Sequence, residues 1–190
     1  MKKLKLSQFV FMALCCDLGI ITKKLVSPAA NLITDSLHIP GGIGTSFSLM
    51  FLVIGAALAG QFGCGALMGL IQCGIALSLG MTGSMGILSF VGYIIPGLIV
   101  DIVLWSLRNR SKHAALMTAC ITAPLAASLT ADLIVFRLHG IVLLLYLCVS
   151  CTTGAICGTV AIPMFDRLSP LIRSVDIQSR YDGYKKEESI

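Results

Sequence analysis

Charged side chains are scarce in this chain. Asp, Glu, Lys and Arg make up 12% of its 190 residues, about half the share of an ordinary soluble domain. That scarcity excludes a surface wetted on all sides. Histidine occurs three times and tryptophan once. No Gly-x-x-x-x-Gly-Lys-Ser/Thr loop is present, so the chain does not cradle ATP in that way. No His-Glu-x-x-His pair and no Gly-x-Ser-x-Gly elbow occur. Thr82-Gly83-Ser84-Met85-Gly86 sets a serine among glycines, but no histidine lies on a facing stretch. Charges inside the apolar runs are too few for a proton relay, and no inverted repeat stands out. The sequence offers no catalytic motif and calls for no metal or cofactor.

What is abundant is apolar. The hydrophobic fraction is 56% and the mean hydropathy is +0.92. A bilayer core of about 30 Å takes about 20 apolar residues as helix. Six stretches come close: Gln8–Val26, Ser46–Ala59, Phe62–Gly80, Gly86–Leu107, Ala114–Phe136 and Gly140–Ile162. The second has 14 residues and reads as tilted, broken or partly re-entrant. The expectation is one all-α membrane domain of six transmembrane helices, with a tail over 165–190 of mixed charge. Met1-Lys-Lys-Leu-Lys5 has the look of a signal-peptide start. No clean small-residue cleavage site follows, and Asp17 interrupts the apolar run, so a retained first helix is expected.

The cations set an orientation. With the N-terminus inside, Lys2, Lys3 and Lys5, then Arg108, Arg110 and Lys112, then Arg167, Arg173, Arg180, Lys185 and Lys186 all face one side. Lys23, Lys24 and Arg137 face the other, so the split is eleven to three. By the positive-inside rule both termini are cytoplasmic. The net charge of +5 then reflects topology, and nucleic acid is not an expected partner.

All eight cysteines lie in or beside apolar stretches. Cys148-x-x-Cys151 has a redox spacing on paper, but no second pair completes a site, and a packing role fits better. Small residues are more informative. Gly55, Ala59 and Gly63 share a helical face, as do Gly65, Gly69 and Cys73. Such faces let backbones approach closely in lipid. The spacing fits packing within this chain and equally a face offered to another membrane subunit. Ala13, near Cys16 and Gly19, extends the second reading.

Three aspartates, Asp17, Asp101 and Asp132, fall inside apolar runs. Each costs about 2.5–3.5 kcal/mol at mid-membrane on insertion scales, so each should face protein or water. Asp101 reads as an internal hydrogen-bond partner, and Asp17 as a subunit contact or packing bond. Asp132, near Arg137 and His139, is a candidate ligand contact. The connection Ser27–Thr45 carries Asn31, Asp35 and His38 among turn residues, and reads as an ordered lid. Thr82 and Ser84 stand in a second connection on the same side. Gln72, Tyr93 and Tyr146 are the polar side chains best placed beneath. Together these groups outline a shallow pocket open to the outside.

The run Phe51-Leu-Val-Ile-Gly55, Gly63-Cys-Gly65-Ala-Leu-Met-Gly69-Leu-Ile-Gln72 and Gly80-Met-Thr82-Gly83, followed by Pro96-Gly-Leu-Ile-Val-Asp101, resembles the substrate-binding (S) component of an energy-coupling factor (ECF) transporter, nearest in pattern to the thiamin-precursor type. The resemblance covers 4–164. It implies a multi-pass protein of a prokaryotic cell membrane that takes a vitamin or precursor from outside. It implies as partners a transmembrane coupling subunit and two cytoplasmic ATPase subunits. On the first helix Ala13 fits the family's Ala-xxx-Ala, but Asp17 stands at the second position. The cobalt and nickel members begin Met-His, whereas this chain begins Met-Lys, which disfavours metal uptake. Two other readings stay open: a small membrane scaffold or assembly subunit without its own ligand, and a self-sufficient secondary transporter.

Overall fold

A computed structural model describes residues 6–36, 43–80, 89–133 and 141–187, with side-chain surroundings for 8–28, 44–80, 90–133 and 141–170. Six helices account for almost all of it: α1 Leu6–Ser36, α2 Ile43–Ala59, α3 Cys64–Ser78, α4 Ser89–Ser106, α5 Lys112–Ala131 and α6 Ile141–Glu187. No strand occurs among the described residues, so the all-α expectation holds. Each apolar stretch yields one helix, although the bounds differ.

The helices alternate in direction. One end of the bundle is where α1 closes, α2 opens, α3 closes, α4 opens, α5 closes and α6 opens; it is called here the upper end. The lower end holds the two short turns, 60–63 and 107–111. Glycine shapes the first of these: Gly60 (φ 63°) and Gly63 (φ 95°) adopt left-handed backbone, which a side chain disfavours. Ser111 shapes the second. Its hydroxyl accepts from the Ala114 N–H at 3.4 Å and caps α5.

One expectation is corrected. The stretch Ser27–Thr45 is mostly helix: α1 runs through Pro28 to Ser36, and α2 opens at Ile43. Pro28 removes one N–H, yet the Ala-Ala-Asn-Leu-Ile run after it sustains the helix. The two helices close on each other here, since a Cβ on Gly44 would lie 2.7 Å from Ser27 Oγ. The ordered-lid expectation therefore loses most of its loop, and 37–42 lie outside the described residues. Through the mixed-charge tail α6 continues to Glu187.

Two helical segments, Lys112–Ala131 (20 residues) and Ile141–Pro170 (30 residues), are long and apolar enough to cross a membrane. Gly44–Ala59, Cys64–Ser78 and Phe90–Ser106 are apolar but shorter. At 1.5 Å per residue the 15 residues of α3 span about 23 Å, short of an about 30 Å core.

The core is built around α2, which packs against all five other helices. Leu49 through Ala56 are buried without a break, the mark of a helix covered on every side. Around it, paired helices meet at glycine. A Cβ on Gly65 would lie 2.6 Å from the Gly97 carbonyl, one on Gly69 2.5 Å from the Tyr93 carbonyl, and one on Gly154 2.6 Å from the Cys120 carbonyl. These contacts join α3 to α4 and α5 to α6, backbone against backbone.

Candidate functional site

Seven polar or charged residues are buried among the described residues: Ser46, Ser48, Gln72, Asp101, Ser128, Asp132 and Ser150. All but Asp101 lie between mid-height and the upper end. Asp101, near the foot of α4, is fully occupied. Its Oδ1 accepts from the Gly65 N–H and its Oδ2 from the Ala66 N–H, both at 2.9 Å. It thus caps the opening turn of α3, where donors are free and the helix dipole favours a negative charge. This matches its reading as an internal hydrogen-bond partner.

The upper polar groups form two clusters. The first lies between α1, α2, α3 and α4. Gln72, at the middle of α3, is 0% exposed, and neither its Oε1 nor its Nε2 finds a protein partner. The Ser48 hydroxyl on α2 is in the same position. Gly19 on α1 faces both: a Cβ there would lie 3.0 Å from Gln72 Nε2 and 3.2 Å from Ser48 Oγ. One helical turn further up α1, the Lys23 ammonium donates to the Tyr93 hydroxyl at 2.8 Å and sits 4.9 Å from its ring centroid.

The second cluster lies between α5 and α6. The Ser128 and Ser150 hydroxyls bond to each other. Tyr146 is buried beside Ser128, within electrostatic reach of Asp132. The two clusters meet at α2: Ser46 bonds to Thr153 on α6 at 3.1 Å, while Ser48, two residues on, faces Gln72's side.

Comparison with protein-family models, curated proteins and solved structures finds no match. The reading of this site rests on its own chemistry.

Of the residues singled out from sequence, Gln72 and Tyr93 fall in the first cluster, and Asp132 and Tyr146 in the second. Asn31 and Asp35 lie on the upper part of α1, and their side chains lie outside the described residues, as do His38, Thr82, Ser84, Arg137 and His139. Four residues of the small-residue faces, Gly55, Ala59, Gly65 and Gly69, pack inside the chain. Gly65 and Gly69 are buried against α4, and Gly55 packs on Cys15 and Met68 of the neighbouring helices. Ala59 is buried, and Gly63 lies in the α2–α3 turn with open space beside it. At Gly55, Gly65 and Gly69 the close approach is internal. Ala13 stays half-buried on α1.

Sequence reasoning missed Ser46, Ser48, Ser128, Ser150 and Thr153, and used Lys23 only as a topological charge. Single hydroxyls in apolar runs carry little signal, because a threonine or serine can satisfy itself on its own helix. The closely spaced pair Ser46 and Ser48, at the opening of the shortest apolar stretch, was the one available hint.

Proposed function

We propose that this chain is a membrane-embedded capture subunit that holds a small polar organic nutrient in the upper half of its bundle. All six helices lie in the bilayer, and both termini are cytoplasmic. In this reading it serves as the S component of an ECF-type importer, with a transmembrane coupling subunit and two ATPase subunits supplying the energy. The upper end faces outside. Exposed Arg108, Arg110 and Lys112 at the lower end support that orientation through the positive-inside rule. Phe62 and Trp105 pair edge-to-face at 6.4 Å at the same end, and a tryptophan there suits a membrane interface. Five of the six prolines sit inside helices, a habit of membrane helices.

The observation that carries the capture reading is Gln72. A fully buried amide with neither atom bonded costs about 1–3 kcal/mol, and Ser48 adds a second such group at the same junction. A bundle otherwise packed to backbone contact retains such a cost where a ligand or water completes the bonds. No catalytic step is assigned to the site.

Native mass spectrometry of the full chain from its own host is the test. A retained small molecule, or co-purifying ATPase subunits, is the expected result. A bare chain with neither partner nor ligand would sink the reading. Orientation is checked separately on a cysteine-free background. Ser36→Cys should react with an impermeant maleimide in sealed cells, and Ser111→Cys should not.

A further inference from the structure

The first cluster is lopsided in what it offers. Lys23 and Tyr93 are both half-buried. Their bond uses one of the three ammonium donors and leaves the phenol its own proton to donate. Among the described residues no carboxylate pairs with Lys23. The pair therefore presents donors and one positive charge, with no acid to balance them. Depth sharpens the point. Side chains on a helix tilt toward its N-terminus. Helix α1 rises to the upper end, so Lys23 leans down; α4 descends from that end, so Tyr93 leans up. The Tyr93 backbone packs on Gly69, three residues below Gln72 on α3, while Lys23 stands four residues above Gly19, which faces Gln72. Ammonium and phenol thus meet near the depth of Gln72. A lysine near a membrane surface ordinarily carries its charge out to water, and this one is turned inward. The deeper groups differ. Gln72 and Ser48 carry no charge and are unmatched. An amide both donates and accepts, and a hydroxyl can do either. They suit a neutral partner that does both, as the edge of an amide or lactam does.

We infer that the molecule captured here is a small carboxylic acid. Its carboxylate lies against Lys23 and Tyr93, and a neutral amide-like edge, about one helical turn (~5 Å) away, points toward Gln72 and Ser48. The inference rests on the capture reading above and narrows its ligand. A cation would meet an ammonium with no acid beside it. A phosphate monoester carries about −1.5 to −2 at pH 7, more than one lysine balances. A carboxylate carries one charge and accepts from the ammonium and the phenol together.

The host's own small-molecule extract is the probe. Anion exchange at pH 7 splits it into a bound fraction and a flow-through. The full chain in detergent is incubated with each and repurified, and retained molecules are read by mass spectrometry. One molecule should be retained, from the bound fraction alone, free of phosphorus and esterified once by acidic methanol. Lys23→Met should cut its retention about tenfold or more, the scale of one charge-assisted hydrogen bond. Lys24→Met, at the exposed neighbouring lysine, removes the same net charge and should change nothing. The fractionation uses the unaltered chain, so it decides even where Lys23→Met fails to fold. A retained molecule that is neutral, cationic or a phosphate ester overturns the inference and leaves capture standing. So does an acid whose retention is indifferent to Lys23→Met. Retention of nothing from either fraction sinks the capture reading and this inference with it.

Discussion

The two halves of the bundle solve the same problem in opposite ways. Both carry polar groups inside an apolar body. In the lower half the single buried acid, Asp101, is matched oxygen for donor by the opening turn of α3. The helices around it touch backbone to backbone at Gly65 and Gly97. In the upper half hydroxyls pair across helices, Lys23 leans on Tyr93, and Gln72 and Ser48 are left unmatched. The lower half is closed in both packing and hydrogen bonding. The upper half is closed in packing alone. A group that stays unmatched where every neighbour is matched marks where chemistry from outside the chain is needed.

Breaking a backbone contact or the matched acid should cost most. Gly69→Leu drives a side chain into the Tyr93 carbonyl, 2.5 Å from the first added atom. Backbone cannot yield as a flexible side chain does, so the loss should reach about 3 kcal/mol or more, read as failed expression or a collapsed melting temperature. A folded Gly69→Leu that merely loses a partner would restore the small-residue face as a docking surface. Asp101→Asn keeps the shape and one acceptor but removes the charge from the head of α3. A loss of about 1.5–3 kcal/mol is expected, measured as a lower unfolding midpoint in detergent. An unchanged midpoint would show that the cap contributes nothing.

The open half should respond with the opposite sign. Gln72→Met replaces an unmatched amide by an apolar chain of similar size. With no ligand present, stability should rise by about 1 kcal/mol, while any bound small molecule disappears from the native mass spectrum. Destabilisation instead would mean that the amide is satisfied in the bilayer, and the contrast between the halves would fail. Tyr93→Phe, the mildest change, removes one hydrogen bond to a half-buried lysine. A loss of about 0.5–1 kcal/mol is expected, with thermal unfolding as the measure.

The helices were legible because apolar length is a strong signal, and six such stretches became six helices. Ends were harder to read. Pro28, Asn31 and Asp35 each mark turns in water-soluble chains, and α1 runs through all three. The glycine spacings announced close contacts without naming the second surface, since a small-residue repeat is the same for an internal neighbour and a foreign one. Asp101 was readable as an internal partner because an acid in an apolar run must be matched. Its donors, two N–H groups of α3, carry no side-chain signature. The clusters were only half readable, through Gln72 and Tyr146. Their serines look like filler until the fold sets Ser128 against Ser150 and Ser46 against Thr153.

The cap that Asp101 places on α3 also bears on how the protein is made. With 15 residues, α3 is too short to hold a bilayer core of about 30 Å on its own, and its first donors stay bare until α4 arrives. The carboxylate that would most oppose the entry of α4 into lipid is the group that those donors require. On the membrane reading proposed above each helix removes the other's obstacle, so α3 and α4 are expected to enter the bilayer together. A ribosome stalled after α3 would leave a segment that slips back out.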